Sequence, residues 1–157
     1  MRTWPVYVQR WQLECCGTPF GVGDEVAWSL TLRPDMPGFE AVEVTLDGAT
    51  VVRVHASGAG REEVELHLGG VRAWWDGPVG TRRGVLAEER HDQPAAKTAT
   101  EGVVRRIRTV RQRFVWSDRH GAHAPSGDPI ALADISHSDA MGHDPAVTGV
   151  IADLMVG

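Results

Sequence analysis

Cysteine, lysine and tyrosine are nearly missing from this chain. Its 157 residues hold two cysteines, one tyrosine and, among sixteen basic side chains, a single lysine, Lys97. The two cysteines, Cys15 and Cys16, are adjacent and cannot staple distant parts of a small secreted domain, which fits a reducing compartment. No apolar run approaches the roughly eighteen residues that a membrane span needs, and the opening MRTWPVYVQRW lacks the apolar stretch of a signal peptide. A cytoplasmic location without membrane attachment is therefore expected. The phosphate-cradling GxxxxGK[ST], the dinucleotide GxGxxG, the metalloprotease HExxH, the hydrolase GxSxG and a paired CxxC are all absent. Each absence removes a familiar reaction class, and no cofactor is predicted.

What is present points to short strands. Eighteen glycines and nine prolines punctuate a chain that is 42% hydrophobic, and its length suits a single core. Apolar residues alternate with polar ones at Val6 and Val8, at Val22, Val26, Trp28 and Leu30, at Val42, Val44 and Leu46, and at Val64, Leu66 and Leu68. Between these runs lie turn signals: the Pro34 to Gly38 segment, Asp47-Gly48 with a return over 51–55, a glycine-rich link over 57–60, and Gly69-Gly70 leading into 71–75. The expected fold is mainly all-β, a small antiparallel β-barrel or strongly curled sheet with long loops. One β-rich domain over 1–157 would comprise a hairpin half at 1–85, a loop or linker at 86–101 and a final part at 102–157.

The stretch WQLECCGTPFGVGDEVAW, 11–28, concentrates the unusual residues. It reads as one strand running into a loop, with Gly23 free to take positive φ and Asp24 able to hydrogen-bond the turn, followed by a second strand. Antiparallel pairing would then set Trp11 near Trp28. On an extended segment Cys15 and Cys16 would face opposite sides, and their simplest reading is as small buried hydrophobes. The competing reading is a thiol or metal site: a shared soft metal, a reactive thiolate or a vicinal disulfide. Glu14 beside them disfavours a thiolate nucleophile.

The pattern formed by Trp11, Glu14, Cys15, Cys16, Gly17, Pro19, Phe20, Val22, Gly23, Asp24, Val26 and Trp28 resembles the N-terminal signature of an actinobacterial family of unknown function. The resemblance is firm over this opening stretch and weaker around 102–107. It implies no activity, cofactor or catalytic residue.

The second informative stretch is GVVRRIRTVRQRFVW, 102–116. Val103, Ile107, Val110 and Phe114 trace a helical stripe, whereas the β-branched composition favours a strand. The strand is preferred because its neighbours are β; the alternative is an α+β fold with a basic helix at 103–116. Arg105, Arg106, Arg108, Arg111 and Arg113 crowd this segment. Net charge runs −5 over 1–80 (6 basic, 11 acidic), +5 over 81–116 (9 and 4) and −5 over 117–157 (1 and 6). Such blocks suggest an anion-binding face, or charge pairing within the molecule, with the acidic tail as partner.

Trp74 and Trp75 end a strand, where one could be an exposed contact residue, although burial of both is the simpler outcome. Beyond Trp116 the chain turns polar; His120 and His123 with Asp118, and His137 and His143 with Asp139 and Asp144, would suit a metal site if the loop folded back. The apolar segment 147–156 would return to the core as a strand or a short helix.

The leading expectation is a non-catalytic binding or interaction module. An anionic partner such as nucleic acid would meet the five arginines, with Trp74, Trp75 or Trp116 stacking on bases. The alternatives are a thiol or metal site at Cys15 and Cys16 that recruits a histidine such as His120 or His123, and a tryptophan-lined barrel holding a small molecule.

Overall fold

A computed structural model describes residues 1–56, 62–75, 82–89 and 99–157. The strands are β1 (Arg2–Gln9), β2 (Glu25–Trp28), β3 (Leu30–Arg33), β4 (Val44–Thr45), β5 (Thr50–Ala56), β6 (Glu62–Leu68), β7 (Val71–Trp75), β8 (Arg83–Glu88), β9 (Thr100–Arg111), β10 (Phe114–Ser117), β11 (Ala122–Pro125), β12 (Ala131–Ile135) and β13 (Val147–Val156). A six-residue helix, α1 (Arg10–Cys15), follows β1, and 3-10 turns occupy Glu40–Val42 and Ser138–Met141. The result is a mainly β molecule, a strongly curled half-barrel.

One sheet runs β12-β9-β13-β1-β8-β3-β7-β6-β5, with β2 on β9 and β4 on β8. Most neighbours are antiparallel, but β1–β8 and β3–β7 are parallel, and β1 lies between β13 and β8. The opening hairpin expected from 11–28 does not form: β1 pairs with β13 and β8, while β2 pairs with β9. The hairpin read at Asp47-Gly48 is replaced likewise, since β4 pairs with β8 and β5 with β6. Local turn chemistry was right at Gly69-Gly70, where β6 and β7 pair from Leu68↔Val71 outward. The expected link over 57–60 and the middle of the expected linker, 90–98, lie outside the described residues. The start of that linker belongs to β8.

The central strands are buried on both faces. Val6, Val8, Leu86, Val150, Ala152 and Leu154 point into the concave core with Trp4, Trp28, Leu30, Leu32 and Trp75. Their neighbours Tyr7, Val85, Ala87 and Ile151 form a second core on the outer face, closed by Phe39 and Val42. Tyr7 meets Phe39 with ring centroids 4.9 Å apart. The chain reaches that outer face through the turn after β3, where Asp35 and Gly38 both adopt positive φ (54° and 91°). Two-sided burial explains why β13 reads as an almost unbroken apolar run.

The segment 103–116 is extended, not helical, and it forms β9 and β10. Its pairing with β13 is irregular. The β13–β9 register passes from Asp153↔Arg106 to Leu154↔Val104, so Arg105 is an extra residue, a bulge. Arg105 and Arg106 are consequently both exposed, and burial resumes at Ile107 in the concave core and at Val110 in the outer one. Buried positions at 104, 107 and 110 thus recur every three residues on a strand.

Candidate functional site

Three places bring chemistry-bearing residues together: the end of α1, the arginine strand, and a projecting hairpin.

Instead of continuing β1, the chain turns into α1 at Arg10, and this helix is held from both ends. Arg10 donates through Nε to the Val147 carbonyl (2.7 Å), through Nη1 to that of Gly142 (2.8 Å) and through Nη2 to that of Asp144 (3.0 Å). Gln12 is 1% exposed; its Nε2 donates to the Glu88 carbonyl (2.9 Å), while its own carbonyl accepts the Cys16 N–H (3.1 Å). Cys15 and Cys16 end the helix, joined to each other as a vicinal disulfide. Both are exposed, which corrects the expectation of two small buried hydrophobes on an extended segment. A helix end, not a strand, carries them, so neither is directed into the core. Trp11 is 46% exposed, whereas Trp28 is buried and packs edge-on against Phe20 at 4.9 Å.

The following loop behaves as its residues dictate. Gly23 takes φ +96°, and the Asp24 carboxylate accepts the Gly21 N–H at 2.7 Å. Ser138 accepts the Phe20 N–H through its hydroxyl (3.0 Å) and donates its own N–H to the Phe20 carbonyl (2.8 Å). A cleft of about 230 Å³ opens beside the helix, lined by Leu13, Glu14, Pro19, Asp139, Met141 and His143, among others.

On β9, and at Arg113 just beyond it, the arginines meet aspartates from the acidic C-terminal block. Arg106 grips Asp134 with two hydrogen bonds (2.6 and 3.1 Å). Arg108 binds Asp153 (2.7 Å), Arg111 binds Asp144 (2.7 Å) and Arg113 binds Asp128 (3.3 Å). Among the described residues Arg105 has no ion pair. The Arg106 hydrogen bonds hold the Asp134 carboxyl below its ordinary pKa, and the Ala146 N–H, followed by Arg111, does the same for Asp144. Protonation that would break these pairs is displaced to lower pH. Arg108 and Asp153 are mostly buried, and the Arg108 Nε has no hydrogen-bond partner among the described residues. Internal pairing, expected as one outcome of the charge blocks, accounts for four of the five guanidinium groups.

Trp74 and Trp75 are buried, with Trp75 in the concave core. Neither presents a face on which a base could stack. Glu65, the register partner of Trp74, is also buried and lies 3.0 Å from His67 Nε2.

The polar stretch beyond Trp116 is more ordered than a solvated loop. β10 and β11 pair from Phe114↔Pro125 to Ser117↔Ala122, continuing the β9–β12 ribbon past the edge of the main sheet. This arm carries Phe114 (40% exposed), Val115 (38%) and Trp116 (59%). Trp116 donates Nε1–H to Asp118 (2.8 Å) and packs edge-on against His123 at 5.6 Å. His120 and His123 therefore sit on the arm, on elements separate from the cysteine pair, and no group of three metal-binding side chains gathers among the described residues. At the base of the arm a cavity of about 680 Å³ is lined by Phe114, Pro129, Ala131, Pro145 and Ala146, together with Arg111, Gln112 and Arg113. The arm escaped sequence reading, although Phe-Val-Trp and Ala-His-Ala flank a turn whose Gly121 has φ +59°, a hairpin signal. The clamp made by Arg10 had no signal, because its partners are backbone carbonyls more than 130 residues away.

A family model described as "Family of unknown function (DUF6578)" matches residues 2–156. The chain belongs to that family. No curated protein and no solved structure matches it. The family description supplies no activity. Among the described residues no helix is long and apolar enough to cross a membrane.

Proposed function

We propose that this chain is a non-catalytic interaction module, that its contact surface is the β10–β11 arm, and that its partner is a second copy of the chain. The observation carrying this reading is the exposure of Phe114, Val115 and Trp116 on a two-stranded ribbon that lies outside the main sheet. A lone hairpin is marginal in water, and each large apolar side chain removed from water contributes about 1.5–3 kcal/mol. A cover for the arm is therefore strongly favoured. The apolar cavity at its base is lined by the arm's own Phe114, so protrusion and recess belong to one surface. That is the condition for a closed two-fold contact, in which each arm enters the other's recess. Ion pairing of Arg111 and Arg113 beside it lowers the charge repulsion between copies.

Light scattering with size-exclusion chromatography tests the proposal. The expected species is twice the 17.1 kDa chain mass, and Trp116→Ser should return it to one chain. A wild-type protein that stays monomeric at high concentration would end this reading. A second reading, an anionic partner, draws on Arg105, which is exposed and without an ion pair among the described residues. Its signature would be a salt-sensitive shift of labelled oligonucleotides that is lost in an Arg105, Arg106 and Arg108 triple alanine variant.

A further inference from the structure

The cysteine pair is independent of the arm and has different chemistry. A cross-link stabilises chiefly by shortening the loops open to the unfolded chain, and residues with sequence separation 1 enclose no loop. Nor is either residue packed in the core, since both are exposed. The bond therefore does little to hold the fold together, and exposed disulfides are the ones that exchange with thiols. Its seat, by contrast, is tied to the sheet. Gln12 anchors the helix end to Glu88 through its side chain and receives the Cys16 N–H on its carbonyl, contacts that do not depend on the S–S bond. The chain has no other cysteine with which the pair could reshuffle.

We propose that Cys15 and Cys16 are a two-electron redox site that exchanges with small dithiols, and that the reduced pair captures thiophilic ions through two sulfur bonds. A dithiol thiolate attacks Cys16 Sγ; a new S–S bond forms to the reductant, the Cys15–Cys16 bond breaks, and Cys15 leaves as a thiolate that takes a proton from water. The second thiol of the reductant, as its thiolate, then displaces Cys16, which is protonated in turn. The protein gains two electrons and two protons, and the reductant becomes a cyclic disulfide. The released Cys15 thiol already has an acceptor, the Gln12 carbonyl, 3.9 Å from its sulfur. Two thiols on adjacent residues suit an ion that needs only two sulfur ligands, because a neighbouring second ligand raises affinity by about 10²–10⁴ over a single one.

Thiol counting on the full chain tests this, with maleimide mass shifts before and after dithiothreitol and with phenylarsine oxide as the thiophilic probe. Expected are no free thiols in the diamide-treated protein, two after dithiothreitol, and one equivalent of phenylarsine oxide bound by the reduced form alone. Cys15→Ser and Cys16→Ser should each weaken that binding about 100-fold or more. Reduction should move the melting temperature by less than about 3 °C. Two thiols that resist diamide, a reduced form that ignores phenylarsine oxide, or a larger fall in melting temperature on reduction would each overturn the proposal.

Discussion

The middle of the sheet and the β10–β11 arm are built from the same alternation and end in opposite environments. Around Ile151 each face of the ribbon meets a core: Val150 and Ala152 turn into the concave one, Ile151 into the one under Phe39. Around Val115 each face meets water. Backbone pairing is regular in both places, so the difference arises from what lies above and below the ribbon. Period two reports a strand; how many of its faces are covered depends on segments distant in sequence, here the excursion that carries Phe39 and Val42.

The largest test of this contrast is Ile151→Ala. Removing a fully buried side chain from the outer core should cost about 2–5 kcal/mol in chemical denaturation. A cost below about 0.5 kcal/mol, the size of an ordinary surface substitution, would mean that the second core is not packed as described.

Next comes pH. Tyr7 is held above its ordinary pKa by burial, an effect that its Thr148 hydrogen bond and the nearby Arg33 only partly offset. The unfolded phenol then ionises first, so this contribution to stability is complete below about pH 10 and is lost as pH rises through the folded value. As Tyr7 is the only tyrosine, phenolate absorbance reads it directly, and a midpoint at or below the ordinary value would contradict its enclosure.

The smallest effect is expected on the arm. Trp116→Ser, compared with wild type at concentrations where both are monomeric, should change unfolding free energy by no more than about 0.5 kcal/mol. A loss of several kcal/mol would show that the arm's aromatics are already covered within one chain.

Much of the strand inventory was legible. The β6–β7 hairpin follows from alternation broken by Gly69-Gly70, and the loop at Gly23 and Asp24 from two residues with distinct conformational abilities. The partners of β1 were not legible, because nothing local distinguishes pairing with β2 from pairing with β13. At Arg105 a bulge, and beyond it burial on both faces, leave β9 with buried residues at 104, 107 and 110, so it lacks the period two of a regular strand. The arginines could be counted but not their partners; Asp134, Asp144 and Asp153 reach them only through sheet register and the loop before β13. For the cysteines, a short helix set by Arg10 and Gln12 replaced the extended segment that alternation suggested, and the sulfurs were carried outward with it.

Pairing β1 with β13 also has a temporal side. Arg2 faces Val156 across the sheet, so during synthesis β1 must wait for β13, the last of the described strands, to emerge. At common translation speeds that delay is roughly ten to thirty seconds. Throughout it, Val6, Tyr7 and Val8 are a sticky nascent segment lacking its principal partner, the kind of patch that holding chaperones bind during synthesis.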